Sequence, residues 1–172
     1  MKLKTDAAHT VDILRFDVAN RLFFRLYQSS NLMHKNGTKA VASFGSTTQQ
    51  WAVMGALARP RVRNEGMSVK ELIGFLMLSR QNLSAVLDRL EARGWIEKVK
   101  DAADGRSRRS RLTAKGVAVW DEMLVAIGEF YEASLAGLSP EEQLALYRLL
   151  DRLKDGLAAL GVEEDAAQAE GA

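Results

Sequence analysis

The residues with the most evident chemistry lie together in "DAADGRSRRSRLTAKG", residues 101–116. Arg106, Arg108, Arg109, Arg111 and Lys115 stand there against Asp101 and Asp104. A guanidinium is a planar fork that stays charged at neutral pH and pairs two-fold with a phosphate or a base edge. The positive region begins earlier, with Arg93, Lys98 and Lys100 opposed by Glu97. From Asp121 onward acids take over: Glu122, Glu129, Glu132, Glu141 and Glu142. Net charge over the chain is only +2, so it is local concentration, not total charge, that suits a phosphate backbone. By itself the run also reads as a solvated loop. The elements that hold it decide.

"WIEKVK" predicts a strand, "DAADG" a turn and "SRRSRL" a returning strand. Together they make a two-stranded ribbon with a basic tip and return arm. Strand alternation puts Arg109 and Arg111 on one face and Arg108 on the other, so not all of them can touch phosphate. Ahead of the ribbon, "RQNLSAVLDRLEAR" predicts a helix with Ser79 as N-cap and Gly94 as its stop. Leu83, Val86, Leu87 and Leu90 share one face. The opposite face holds Gln81, Ala85 and Asp88, with Ser84 beside it, and Arg80, Gln81 and Asn82 fill the first turn. Arg pairs with guanine and Gln or Asn with adenine in bidentate fashion. Asp88, a poor phosphate neighbour, is expected to orient Arg89 or Arg80, or to accept from a cytosine. Before this helix, Ser68 and Glu71 form a capping box that opens a short helix to about Leu76.

Longer helices frame this group. The first is expected over Val11–Met33, with apolar rows at Phe16, Ala19, Phe23, Leu26 and Tyr27 and at Leu14, Val18 and Leu22. Two apolar faces imply a partner surface as well as a core. "KNGTKAVASFGS" reads as a loop broken at Gly37 and Gly45, and "TTQQWAVMGALA" as a second helix with Trp51, Met54 and Leu57 on one face. Thr113 caps a long helix with a stripe at Val117, Trp120, Leu124, Ile127 and Tyr131. Ser139, Pro140 and Glu142 open the last helix, which carries Leu146, Leu149, Leu150, Leu153, Leu157 and Leu160. The expected class is mainly α: a winged helix-turn-helix, with a three-helix core and a two-stranded β-wing, framed by long N- and C-terminal helices. In such a motif the second helix of the pair enters the DNA major groove. The expected divisions are 1–45 for the first helix and loop, 46–112 for the winged domain, 113–160 for the C-terminal helices and 161–172 for a disordered tail.

Composition excludes several classes. There is no cysteine, hence no disulfide and no thiolate nucleophile or metal ligand. His9 and His34 are far apart and lack a metal-ligand pattern, so no metal site is expected. No Gly-rich phosphate loop, HExxH or nucleophile elbow appears, so neither an enzyme nor a cofactor is expected. The start, "MKLKTDAAHTVDIL", is interrupted by Asp6, His9 and Asp12 and is no signal core. No apolar run is long enough to span a bilayer, and a cytoplasmic, soluble protein without membrane contact is expected.

"SVKEL", "LSRQNLSAVLDRLEARGWIEKV" and "DGRSRRSRLTAKG" resemble the MarR family of bacterial transcriptional regulators. The family's wing motif, Asp-x-Arg followed by Leu-Thr and a glycine, is matched here by Asp104 and Arg106, Leu112 and Thr113, and Gly116. The resemblance runs roughly from Val11 to Leu160. Trp95 departs from it, standing where the family usually has a smaller aliphatic residue, at the base of the wing. The resemblance implies an obligate homodimer, in which first and last helices interlock and each subunit presents one reading head to a pseudo-palindromic double-stranded DNA operator. It also implies that Arg106 probes the minor groove, braced by Asp104. The expected DNA-binding residues are thus Ser79, Arg80, Gln81, Asn82, Ser84, Asp104, Arg106 and Arg108.

Members of the family commonly release DNA when a small, often aromatic effector binds between the dimer platform and the reading head. The resemblance therefore implies a repressor relieved by an aromatic acid or its coenzyme A thioester. Candidate ligand residues are Phe24, Tyr27, His34, Trp51, Met54 and Arg63, although aromatics at helical spacing more often form core. Lys35, Lys39, Arg61 and Arg63 are cations that such a thioester's phosphates would meet. The rival expectation is a winged helix used for protein or RNA contact without small-molecule sensing.

Overall fold

The computed structural model describes residues 3–101 and 107–170. In order, the elements are α1 (Leu3–Ala40), a 3₁₀ turn (Ala42–Phe44), α2 (Thr48–Ala58), β1 (Met67–Ser68), α3 (Val69–Leu76), α4 (Arg80–Ala92), β2 (Ile96–Lys100), β3 (Arg108–Leu112), α5 (Ala114–Leu135) and α6 (Pro140–Glu170). The chain divides into two units, Met1–Gly128 and Glu129–Ala172.

The core lies in the first unit. Val53, Met54 and Leu57 of α2, Leu72 of α3, Leu83, Val86, Leu87 and Leu90 of α4, Ile96 and Leu112 of the sheet, and Met123 and Ile127 of α5 form one buried cluster. Each fully buried aliphatic side chain there contributes about 1.5–3 kcal/mol. The α4 face is the one its spacing predicts. In α5 the stripe is shifted: Met123 and Ile127 are buried while Leu124 and Tyr131 stay exposed. Positions 116, 120, 123 and 127 keep the same three-four spacing, displaced by one residue at Gly116 and Met123, and both of these are buried.

Three further differences concern element extent. α1 does not break at Gly37 but runs on to Ala40. Gly37 is buried, and its carbonyl accepts from Val41 N–H at 3.2 Å. One glycine costs a helix only about 1 kcal/mol relative to alanine, and the bonds on either side outweigh it. The chain turns instead at Gly45, whose φ is 61°. The ribbon gains a third strand: β1 pairs antiparallel with β3, and the order is β1-β3-β2. β1 has two residues, too short for any alternation to announce it. Finally, α6 extends to Glu170, through residues 161–170 that were expected outside it, a stretch rich in the good helix formers Ala and Glu.

Where side chains are described, both expected apolar rows of α1 remain exposed apart from half-buried Leu26, among them Phe16, Val18, Leu22, Phe23 and Tyr27, and Phe24 beside them is exposed too. Within the second unit, α6 likewise exposes Leu146, Tyr147, Leu149, Leu150, Leu157 and Leu160. Among the described residues no helix is long and apolar enough to cross a membrane.

Candidate nucleic-acid interface

α4 is held rigidly at both ends. Ser79 Oγ accepts from Asn82 N–H at 3.3 Å, closing the first turn. At the other end Gly94, with φ 68°, donates to the Glu91 carbonyl, and Trp95 N–H donates to the Leu90 carbonyl. That is a Schellman motif, and its apolar contact is supplied by Leu90 and Trp95, both buried. With Leu83, Val86, Leu87 and Leu90 inward, Arg80, Gln81, Asn82 and Ser84 are all exposed, as is the Ser79 cap. Asp88 does not orient Arg80 or Arg89. It lies 3.9 Å from Lys98 Nζ on β2, which also donates to Glu91 at 2.6 Å. The hydrogen bond to Glu91 holds the Lys98 ammonium above its ordinary range, against a smaller effect of burial.

The wing cations divide by surroundings. Arg109 is largely buried and donates to the carbonyls of Glu65 and Gly66, to Asp101 at 2.9 Å and to Glu71. Arg111 donates to Glu97 at 2.7 Å and to the Asn64 carbonyl. Lys115 donates to the Arg93 carbonyl at 3.0 Å. These three cations are therefore engaged inside the protein. Arg109 and Arg111 line one groove with Asn64, Glu65, Val99, Lys100 and Asp101, as strand alternation predicts. Arg108, on the other face, is exposed and has no side-chain partner among the described residues. Asp104 and Arg106 lie outside the described residues.

Glu71 serves two elements. Burial pushes its carboxyl up, but the Ser68 amide and hydroxyl, and then Arg109, outweigh this and hold it below its ordinary value. The bond from Arg109 to Asp101 does most to hold the guanidinium above its own ordinary value, with burial opposing and Glu71 adding.

The Leu-Thr-x-x-Gly segment is structural. Leu112 is in the core. Thr113 Oγ1 donates to the Gly94 carbonyl at 2.7 Å and accepts from Gly116 N–H at 3.0 Å, so one hydroxyl caps α5 and ties it to the end of α4. A Cβ on Gly116 would sit 1.9 Å from the Trp95 carbonyl oxygen. Only glycine lets the helix approach this strand so closely. Trp95 packs its ring under Arg93, whose guanidinium carbon lies 3.6 Å from the ring centre. Arg93 also donates to the Phe44 and Gly45 carbonyls at 2.6 and 2.8 Å. The strand β1, the shared carboxylate of Glu71 and the Arg93 link were missed from sequence. Ser68-x-x-Glu71 signals the cap, but nothing local signals a partner on another element.

The expected ligand residues are only partly brought together. His34 Nδ1 shares a 2.8 Å hydrogen bond with Thr48 Oγ1, joining α1 to α2. Tyr27 lies two turns before His34 on the same side of α1, and Trp51 lies one turn after Thr48. Phe24 lines a shallow groove with Arg21, Arg25 and Gln28. Met54 is fully buried in the core. Arg63 stands apart, in a groove with Asn64, Glu97, Arg111 and Thr113 at the base of the wing. No group of His, Asp or Glu among the described residues is arranged to hold a metal ion.

A capped helix with an exposed polar N-terminal turn, set beside a three-stranded sheet and built on a short helix pair, defines a winged helix-turn-helix protein. Residues 44–107 match the model of the MarR family. The chain is 45% identical over 152 residues to the transcriptional activatory protein BadR of Rhodopseudomonas palustris, covering 84% of this chain and 86% of that one. The Streptomyces coelicolor regulator PcaV, solved in complex with its natural ligand, is 29% identical with TM-score 0.61, over 79% of this chain and 91% of that one. A mutant of Escherichia coli MarR complexed with operator DNA shares the fold, with TM-score 0.70 at 20% identity over 80% of this chain and 96% of that one. The chain belongs to the MarR family and is a DNA-binding transcriptional regulator, not an enzyme.

Proposed function

We propose that the protein is a cytoplasmic homodimer that reads a pseudo-palindromic operator and is controlled by a small aromatic acid or its coenzyme A thioester. The observation that carries the DNA-reading part is the first turn of α4, where Arg80, Gln81 and Asn82 are exposed above a fully packed apolar face. Helix N-terminal residues reach base edges in this motif, and Ser79 and Ser84 flank them. Arg108 and Lys100, both exposed and without a side-chain partner among the described residues, are wing cations suited to phosphate. Arg106 and Asp104 keep the groove-probing role that the family resemblance implies. The apolar residues exposed on α1 and on α6 support the homodimer: water-exposed rows of this kind need a covering surface. Two half-sites are then about one helical turn, ~34 Å, apart.

Enrichment of fragments from the source genome identifies the preferred duplex. On that duplex Gln81→Ala is expected to cost about 1–3 kcal/mol and to relax preference at one base position. Equal affinity for wild type and variant, in titrations by fluorescence anisotropy, removes α4 as the reader. Preference for RNA or for a protein over every duplex favours the rival use of the fold.

The effector reading is supported by the ligand complex of PcaV and by the α1–α2 junction, where His34 bonds Thr48 with Tyr27 two turns before His34 and Trp51 one turn after Thr48. Benzoate, a hydroxycinnamate or the matching thioester is expected to weaken DNA binding. A shift from nearly full to nearly no occupancy requires a preference of about 10⁴ for the DNA-incompetent form. A panel of these compounds that leaves the titration unmoved refutes aromatic control. Repression is the family expectation, whereas the relative BadR is described as an activatory protein. A promoter fusion reads the sign.

A further inference from the structure

Three separate segments meet on one side chain of the wing. Arg109 belongs to β3. Its guanidinium reaches the carbonyls of Glu65 and Gly66 ahead of β1, the carboxylate of Glu71 in the first turn of α3, and Asp101 at the end of β2. The approach is close by construction: Gly66 has φ 75°, and a Cβ there would lie 2.4 Å from the Ser110 carbonyl oxygen. The backbone pairing of Ser68 with Arg109 brings the α3 cap alongside the same residue.

We propose that Arg109 is the positioning residue of the wing: it fixes the ribbon's angle against α3, so that DNA affinity depends on an arginine that touches no DNA. This rests on the DNA-binding reading above. A guanidinium with two carboxylates and two carbonyls in its fork has few donors left for a phosphate. A lysine at this position has one point of charge and cannot bridge the same groups. Glu71 is the natural second handle. Glutamine there still accepts the Ser68 N–H of the capping box but loses the charge that Arg109 meets.

The experiment compares wild type, Arg109→Gln, Arg109→Lys and Glu71→Gln. The first measurement is amide hydrogen exchange in β2 and β3, which needs no DNA. Both glutamine variants are expected to exchange faster there than wild type, with α4 unchanged. The second is affinity for a duplex that wild type enriches from a random library, measured across salt. Arg109→Gln is expected to bind roughly tenfold more weakly, equivalent to one good charge-assisted contact. Its log–log salt slope should match wild type, Arg109→Lys should recover little, and Glu71→Gln should move the same way.

Unchanged exchange in β2 and β3 overturns the proposal. So does a salt slope shallower by about one with exchange unchanged, which marks Arg109 as a phosphate contact. Faster exchange with full affinity overturns it too, because the wing's angle then does not matter to DNA. If Arg109→Gln does not fold, Glu71→Gln carries both measurements. If wild type enriches no duplex, it is the DNA reading that has failed, and the exchange data still decide whether Arg109 holds the wing.

Discussion

Raising monovalent salt from about 50 to about 200 mM is expected to weaken binding to the preferred duplex by roughly 10³-fold or more. Each cation that neutralises a phosphate releases condensed counterions, and the gain from release shrinks as bulk salt rises. The structure separates cations bonded within the protein from those without such a bond among the described residues. Arg109, Arg111, Lys98 and Lys115 are engaged within the protein. Arg80, Lys100 and Arg108 are exposed. In the proposed homodimer these three, taken twice, come to about the number of phosphate contacts for which such a fall is usual. Titration of a labelled duplex at several salt concentrations gives the slope directly. A slope below about two, or equal weak binding to every duplex, is incompatible with the winged-helix interface described above. Charge-neutral variants of Arg111 and Lys115 should leave the slope where it is.

Gly116→Ala is expected to destabilise the protein by about 3 kcal/mol or more, measured by urea unfolding. The added methyl would meet the carbonyl oxygen of Trp95 at 1.9 Å and its carbon at 2.8 Å. Both are backbone atoms inside a strand connection held by Thr113 N–H and the Schellman bonds, so neither can rotate away. Trimming the Trp95 ring therefore offers no rescue. Gly128→Ala, in the same helix with nothing within 4 Å of the new Cβ, is the control, and it should gain up to about 1 kcal/mol from helix propensity. Equal stability for Gly116→Ala and wild type would mean that α5 does not approach the strand as described.

Much of this architecture was legible because its signals are local. The three-four spacing of Leu83, Val86, Leu87 and Leu90 appears as one buried face. The capping boxes, the stop at Gly94 and the ribbon are written within a few residues of where they act. What was not legible depends on pairs distant in sequence. The sequence points Asp88 at arginines of its own helix or at a cytosine, and the cation beside it is Lys98 on β2, because the strand passes beside the helix. Gly37 looked like a break and is a buried helical residue, since a lone glycine does not report whether its neighbours are packed. The basic run looked like one surface, yet Arg109 has its acids on α3 and at the end of β2. Charge counting along a chain cannot separate a cation facing solvent from one already neutralised.

Arg93 closes the turn at Phe44 and Gly45 with two hydrogen bonds and lies flat on Trp95, the residue from which β2 starts. In mechanical terms the turn after α1, the end of α4 and the root of the ribbon are parts of one joint without slack. A tilt of the turn is therefore expected to carry the root of the ribbon with it, whatever agent does the tilting. Trp95 is thus the flat bearing of that joint, and a smaller aliphatic residue would leave Arg93 nothing to lie against.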